Sequence, residues 1–140
     1  MSSNQPIPNG IYTIMGPGGQ LTHQGPDAPI LLLQRDGNPT QKWEVSSESD
    51  AYTLRNVVSG LYLGSDRDPN QADMMIRGSK QPFTWQVSQG PDEEPDTYLL
   101  ASAASSDSFF LAPSLLRIWP PHVAILPSGG YTPEWLFSRA

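Results

Sequence analysis

The side chains best suited to acid–base or metal chemistry are two histidines, His23 and His122, and the acidic run Asp92-Glu93-Glu94. Neither histidine has a second potential metal ligand near it in the sequence, and isolated histidines are more often surface or turn residues than ligands. The acidic run lies in a hydrophilic, proline-containing segment, where no burial would raise the pKa of its carboxyl groups toward that of a general acid. The sequence therefore predicts no catalytic residue, no metal site and no cofactor.

Motifs for nucleophilic catalysis and for phosphate binding are also missing from the sequence. The chain has no cysteine, which excludes disulfides, thiolate catalysis and zinc–thiolate sites. No Gly-x-Ser-x-Gly, phosphate-loop or Gly-x-Gly-x-x-Gly pattern joins a strand to a helix. The glycine-rich Gly16-Pro17-Gly18-Gly19 precedes no helix that could bind an anion, so it is predicted to be a hairpin turn. We expect a binding protein rather than an enzyme.

Charge and hydropathy limit the kind of partner. Eight basic residues, scattered singly, face fourteen acidic ones, and the net charge of −6 argues against nucleic acid. No apolar run approaches the ~20 residues of a membrane span, and the polar, proline-containing start does not resemble a signal peptide. These features predict a soluble, cytoplasmic monomer with no nucleic-acid or membrane partner.

The elements that would hold a binding site repeat three times along the chain. Each repeat ends on a strand in which a tryptophan and an apolar residue two positions later share one face. These tryptophan strands are Gln41-Lys42-Trp43-Glu44-Val45, Phe83-Thr84-Trp85-Gln86-Val87 and Pro133-Glu134-Trp135-Leu136-Phe137. Each follows a strand that carries a tyrosine, and the intervals from Tyr12 to Trp43, Tyr52 to Trp85 and Tyr98 to Trp135 are 31, 33 and 37 residues. A near-constant period of this kind is typical of an internally repeated fold.

The many proline and glycine residues indicate an all-β fold. Fifteen prolines and twelve glycines leave little room for helices. They divide the chain into twelve predicted short strands, four per repeat, and these include Leu61–Gly64 and a closing strand of the first repeat that starts at Gln41. We predict an all-β chain forming one β-trefoil domain over residues 1–140, with repeats at about 10–47, 51–89 and 97–140. Its six-stranded barrel, capped by three hairpins, would bury the three tryptophans.

The chain resembles the mushroom β-trefoil protease inhibitors, and most closely the serine-protease-inhibitor branch that cospin exemplifies. The resemblance lies in Gly10-Ile11-Tyr12-Thr13-Ile14, Phe110-Leu111-Ala112-Pro113 and the terminal Trp135-Leu136-Phe137-Ser138-Arg139. It implies that the loop between strands two and three, Gly25-Pro26-Asp27-Ala28-Pro29, enters a protease cleft. Two prolines would hold this loop extended, so that docking costs little conformational entropy.

The residue at the centre of that loop does not suit a trypsin-like enzyme. Asp27 would meet the acidic residue of a trypsin-like specificity pocket, which favours Arg or Lys instead. Arg67 and Arg117, in loops of the other two repeats, are the alternative reactive residues. Arg67 is the better candidate for a trypsin-like target, and the alternative is that it is an ordinary surface arginine paired with Asp66 or Asp68.

Two other functions stay open. The cysteine-protease-inhibiting mycocypins share the tyrosine opening and the tryptophan ending, and this resemblance implies loops Gly16-Pro17-Gly18-Gly19 and Arg35-Asp36-Gly37 as the protease contacts. A ricin-B-like lectin is the third possibility, because Asn56-Val57-Val58-Ser59-Gly60 and Gln41-Lys42-Trp43 echo that family. Such a lectin needs an aromatic side chain for sugar stacking beside amide or carboxylate hydrogen-bonding groups.

Overall fold

The computed structural model describes residues 7–26, 28–48, 51–64, 74–89, 95–102, 109–115, 119–127 and 133–140. Within them lie eleven strands and one 3₁₀ turn, Pro39–Gln41. The strands are β1 (Gly10–Gly16), β2 (Gly19–His23), β3 (Ile30–Leu33), β4 (Trp43–Glu48), β5 (Ala51–Asn56), β6 (Met74–Met75), β7 (Trp85–Gln89), β8 (Thr97–Ser102), β9 (Phe109–Pro113), β10 (Val123–Pro127) and β11 (Trp135–Arg139).

Six of these strands close into a barrel. Strand β1 pairs with β4, β4 with β5, β5 with β7, β7 with β8, β8 with β11, and β11 returns to β1, all antiparallel. The hairpins β2–β3 and β9–β10 lie outside this ring, and β6 pairs with β10. Closure leaves no free edge in the barrel. The chain is a β-trefoil, as predicted; the bounds of the three repeats stay a prediction.

Each repeat places its tyrosine directly opposite its tryptophan across the two barrel strands that it contributes. The three pairs are Tyr12 with Trp43, Tyr52 with Trp85, and Tyr98 with Trp135. All three indoles are fully buried. Burial of a side chain of this size contributes roughly 1.5–3 kcal/mol or more to folding, so these three pairs are major elements of the core.

The indole nitrogens of the three buried tryptophans make equivalent hydrogen bonds in the three repeats. Each Nε1–H donates to the carbonyl oxygen of a leucine 22 to 24 residues earlier in the chain. The bonds run from Trp43 to Leu21 at 3.1 Å, from Trp85 to Leu63 at 2.8 Å and from Trp135 to Leu111 at 3.1 Å. The polar atom of each buried indole is therefore satisfied, as burial requires.

Backbone hydrogen bonds join the three repeats around the axis. The Ile30 amide donates to the Ile76 carbonyl at 3.1 Å, and the Ile76 amide donates to the Val123 carbonyl at 3.0 Å. All three side chains are fully buried. The hairpin cap is thus one connected unit rather than three separate hairpins.

Several predicted strand limits are wrong, and all three tryptophan strands start at the tryptophan itself. Instead of the strand Leu61–Gly64, the structure has single-residue bridges from Tyr62 to Arg55 and to Ser79. In this segment the backbone of Gly64 packs against Phe83, and a Cβ there would lie 2.3 Å from the Phe83 ring. Gln41 lies in the 3₁₀ turn rather than in β4, because Pro39 starts that turn and the Asn38 side chain caps it.

Candidate functional site

A largely apolar cleft of about 600 Å³ opens between the first and third repeats. The β1–β2 hairpin forms one wall, the end of β3 forms the second, and Trp119 with Pro120 forms the third. We call it the Trp119 cleft. Its size is within the range of small-molecule sites, which combine apolar walls with a few polar groups.

Glycine brings two of the walls together. The hairpin turns through Pro17 and Gly18, and Gly16 pairs with Gly19. Gly19 has φ +144°, and a Cβ there would lie 2.6 Å from the Leu33 carbonyl oxygen. A side chain at this position would therefore push β2 away from β3 and change the shape of the cleft.

Trp119 is the most exposed large apolar side chain among the described residues, with 87% of its surface accessible. Leu115, in the same connection between β9 and β10, is 68% exposed. The fold derives no burial energy from the Trp119 indole, whereas the other three indoles are fully buried. An aromatic face beside a cleft offers a surface on which an apolar ligand face can stack.

The polar groups of the cleft come from β2 and from the segment after β3. Gln20 is 3% exposed, and its Oε1 has no hydrogen-bond partner among the described residues. Gln34 and Arg35 also line the cleft and are exposed. An orphaned buried oxygen costs stability, and this one is too deeply buried to reach a ligand directly.

Gln41 holds the Gln34–Asp36 segment in place. Its Nε2 donates to the Thr22 hydroxyl oxygen at 3.2 Å and to the Gln34 carbonyl oxygen at 2.9 Å. Its Oε1 accepts the Asp36 amide at 3.2 Å. The side chain is 1% exposed, so the glutamine of the Gln-x-Trp pattern supports the cleft from behind and cannot contact a ligand directly.

His23 was predicted to be a surface or turn residue, and that prediction is wrong. The side chain is fully buried on β2. Nε2 lies 3.1 Å from the Ala28 carbonyl oxygen, which can only accept, so Nε2 carries the proton and Nδ1 accepts the Ser59 hydroxyl at 2.7 Å. Burial lowers the pKa of His23 below its ordinary value of 6.5. The signal that could have revealed this burial is the two-residue spacing between Leu21 and His23, which puts both on one face of the strand.

The predicted protease-binding loop is a tight turn at its start. The Ala28 amide donates to the Gly25 carbonyl oxygen at 3.1 Å, so the expectation of an extended segment is wrong between these two residues. Proline at the second position of such a turn has the φ that the turn needs, and Pro26 stands there, exposed. Asp27, the expected central residue, lies outside the described residues, and so do Arg67 and Arg117.

The two loops predicted for cysteine-protease binding do meet. Gly18, Gly19 and Arg35 line the same Trp119 cleft. Asp36 turns its carboxylate toward its own segment, where Oδ1 accepts the Asn38 amide at 2.8 Å. Gly37 adopts φ +74°, which glycine readily accommodates.

Metal sites and membrane spans find no support in the described part of the chain. His122, also predicted to be a surface or turn residue, is half-buried and its Nδ1 has no partner among those residues. No group of three or more His, Cys, Asp or Glu in these segments could hold a metal ion. Nor is any helix in these segments long and apolar enough to cross a membrane.

Residues 39–112, which include β4, β5, β7 and β8, are similar to a known protein family. This segment matches the family model described as ricin-type β-trefoil lectin domain-like, and it covers more than half of the chain. The chain belongs to the ricin-type β-trefoil lectin domain-like family. No curated protein sequence matches it.

Solved structures agree with this ricin-type fold. A Macrolepiota procera ricin B-like lectin, solved in complex with lactose, is 20% identical with a TM-score of 0.76, over 100% of this chain and 99% of its own. The Rhizoctonia solani agglutinin is 21% identical with a TM-score of 0.78, over 96% and 97% of the two chains. A Coprinopsis cinerea proteinase inhibitor is 17% identical with a TM-score of 0.68, over 96% and 99%. At these identities the similarity establishes the fold.

The motifs that echo the ricin-type family have structural roles in this chain. Asn56 accepts the Val58 and Ser59 amides, each at 3.0 Å, on its Oδ1 and donates from Nδ2 to the Thr40 carbonyl oxygen at 2.9 Å. Like Gln41, it is 1% exposed. These two side chains therefore build the scaffold in this chain and are too deeply buried to form the binding surface.

Proposed function

We propose that this protein is a carbohydrate-binding protein, not an enzyme, and that it binds sugar in the Trp119 cleft. The observation that carries the proposal is the 87% exposed Trp119 indole on the rim of an apolar cleft. Membership of the ricin-type β-trefoil lectin domain-like family supports it. The apolar C–H face of a pyranose would stack on the indole, and its hydroxyl groups would hydrogen-bond to Gln34 and Arg35.

The expected affinity for a single sugar is weak. A monosaccharide has about twelve non-hydrogen atoms, and at ~0.3 kcal/mol per atom it would gain about 4 kcal/mol. That free energy corresponds to a dissociation constant of about 1 mM. Useful affinity therefore requires a longer glycan or several binding sites on one target.

Protease inhibition is the second candidate, and two observations favour it. The Coprinopsis cinerea proteinase inhibitor has the same fold, and the Gly25–Pro29 loop is braced by the bond from His23 to the Ala28 carbonyl. In this alternative, Gly25–Pro29 would contact a serine protease. In a mycocypin-like mode, the β1–β2 turn and Arg35 would contact a papain-like protease across the Trp119 cleft.

A glycan array, run beside inhibition titrations with trypsin-like and papain-like proteases, separates these candidates. The protein should bind glycans, and Trp119→Ala should abolish binding while Leu115→Ala, which removes a similarly exposed apolar side chain outside the cleft, should not. Glycan binding that survives Trp119→Ala would refute the site. Stoichiometric inhibition of a protease without any glycan binding would replace the lectin proposal with the inhibitor one.

A further inference from the structure

Three of the six exposed large apolar side chains among the described residues lie together, away from the Trp119 cleft and the β9–β10 connection: Ile11, Val57 and Val58. Two of them, Ile11 and Val57, line a pocket of about 240 Å³ on the outer face of the barrel. Val58 follows in the turn after β5. Glu44 and Arg55 line the same pocket. We call these five side chains the barrel patch.

Strand pairing sets the order of the charges in the barrel patch. Ile11 of β1 lies directly opposite Glu44 of β4, and Glu44 lies directly opposite Arg55 of β5. Tyr62, which is half-buried, pairs with Arg55 on its other side. Residues that are paired directly across neighbouring strands point to the same face, with their Cβ atoms about 5 Å apart. The outer face of the barrel therefore carries a row that reads apolar, negative, positive, aromatic.

The two charges of this row do not pair with each other. The Arg55 guanidinium bonds to the turn that follows its own strand, where Nε donates to the Gly60 carbonyl oxygen at 2.9 Å. Gly60 also lines the pocket, so the Arg55 head group lies in the barrel patch. Within the described segments, the terminal amino groups of Arg55 make no hydrogen bond, and the exposed Glu44 carboxylate makes neither a hydrogen bond nor an ion pair. Both charged groups are therefore available to a partner.

A row with this order is complementary to itself. When a second copy of the chain faces it across a twofold axis, the order is reversed, so that Glu44 meets Arg55 of the second copy and Ile11 meets its Tyr62. Each contact then occurs twice, as in every isologous interface. We propose that the barrel patch joins two copies of this chain in a symmetric dimer. Val57 and Val58 bury apolar surface beside the charge pairs and shield them from water.

The dimer is expected to be weak, and its consequence is bivalency. A standard interface has roughly 20–30 residues on each side, far more than the barrel patch, so monomers should predominate in dilute solution. Met15, which lines the Trp119 cleft, is four residues from Ile11 on β1, or ~13 Å along the strand, so the dimer leaves both clefts open. Two clefts in one particle would strengthen binding to a surface that carries many glycans. This consequence rests on the proposed function, whereas the dimer itself does not.

Sedimentation equilibrium of the full chain, between about 10 µM and 1 mM, tests the dimer. The average mass should rise with concentration from 15.3 kDa toward twice that value. Ile11→Ala should weaken association on the order of tenfold, because a twofold interface loses the side chain twice. Leu115→Ala, which removes an exposed apolar side chain outside the barrel patch, should not weaken it. A mass of 15.3 kDa at every concentration would overturn the proposal.

Charge reversal tests how the two copies face each other. Glu44→Arg and Arg55→Glu each set like charges against one another across the twofold axis, so each variant alone should stay monomeric. A mixture of the two variants has opposite charges at both contacts and should form a dimer, as should the variant that carries both changes. Gln86→Arg, which adds a charge at an exposed site on β7, should associate like the unaltered chain. Failure of the mixture to associate would refute the pairing of Glu44 with Arg55.

Glycan binding by the same variants separates the dimer from the proposed function. Glu44→Arg should bind a glycan-coated surface on the order of tenfold or more weakly than the unaltered chain, with its affinity for the soluble sugar unchanged. A dimer that binds no glycan would refute only the proposed function and would support the barrel patch. A chain that binds glycans and stays monomeric at every concentration would overturn the dimer and leave the proposed function standing.

Discussion

The Nδ1 atom of His23 lies 2.7 Å from the Ser59 hydroxyl oxygen and joins β2 of the first repeat to the turn after β5 in the second. The same ring holds the Gly25–Ala28 turn through the Ala28 carbonyl. One buried imidazole therefore couples two repeats and a surface loop. The Ser59 hydroxyl makes a second hydrogen bond, because its oxygen also accepts the Leu61 amide at 3.2 Å.

This burial predicts a loss of stability in mild acid. Burial lowers the pKa of His23 in the folded protein, so the unfolded chain binds a proton first as the pH falls below about 6.5, the ordinary value. The free energy of unfolding should be fully maintained above that pH and should decrease below it. Urea unfolding between pH 7.5 and 5.5 measures the slope, and His23→Gln should flatten it. An unchanged slope in His23→Gln would contradict the assignment.

The three equivalent indole hydrogen bonds predict similar losses of stability when each buried tryptophan is replaced. Trp43→Phe, Trp85→Phe and Trp135→Phe each leave a buried leucine carbonyl without its indole donor. Each should lower the free energy of unfolding by about 1–3 kcal/mol from the lost hydrogen bond, with a further loss from the smaller ring. Chemical denaturation measures this, and Trp119→Phe is the matched control because its indole is exposed. A neutral result at any buried site would show that the repeats are not equivalent.

Close packing at the β1–β2 turn predicts opposite results for two glycines. A Cβ at Gly16 would lie 2.3 Å from the Trp135 ring, whereas one at Gly25 would meet nothing within 4 Å. Gly16→Ala should destabilise the protein by about 1–3 kcal/mol through overpacking. Gly25→Ala should change stability by less than about 0.5 kcal/mol. Thermal unfolding of the two variants side by side decides the matter, and equal midpoints would refute the packing described for Trp135.

Gln41 provides a test of how the binding surface is supported. Gln41→Leu removes the bonds to the Thr22 hydroxyl, the Gln34 carbonyl and the Asp36 amide. The loss should cost about 1–3 kcal/mol and should accelerate hydrogen exchange at the Asp36 amide. Gln86→Leu, at an exposed site on β7, should do neither. Slow exchange at Asp36 in the Gln41→Leu variant would mean that other contacts hold this segment.

The fold could be predicted from the sequence because the tyrosine and tryptophan strands recur three times along the chain. The two-residue spacing within each tryptophan strand indicates which side chains point inward, and glycine and proline indicate where strands end. In place of the predicted strand Leu61–Gly64, the structure has only single-residue bridges at Tyr62, and Gly64 packs against Phe83. That contact spans nineteen residues and leaves no local pattern.

The site was harder to predict for a related reason. The Trp119 cleft exists because a loop of the third repeat approaches the β1–β2 hairpin: a Cβ at Gly18 would lie 3.9 Å from Pro121. Several residues that suggested a protease inhibitor, such as Tyr12, Trp135 and Phe137, are core residues. They identify the scaffold, which the lectins and the inhibitor share, and so they could not discriminate between the two functions.

Backbone hydrogen bonds from Ile30 to Ile76 and from Ile76 to Val123 join the three repeats independently of how the chain connects them. The barrel is closed as well, so its stability depends on which strands pair, and the order in which the chain connects them is secondary. Because β1 and β11 are neighbours, a circular permutant that joins them and opens between β7 and β8 should refold to the same architecture.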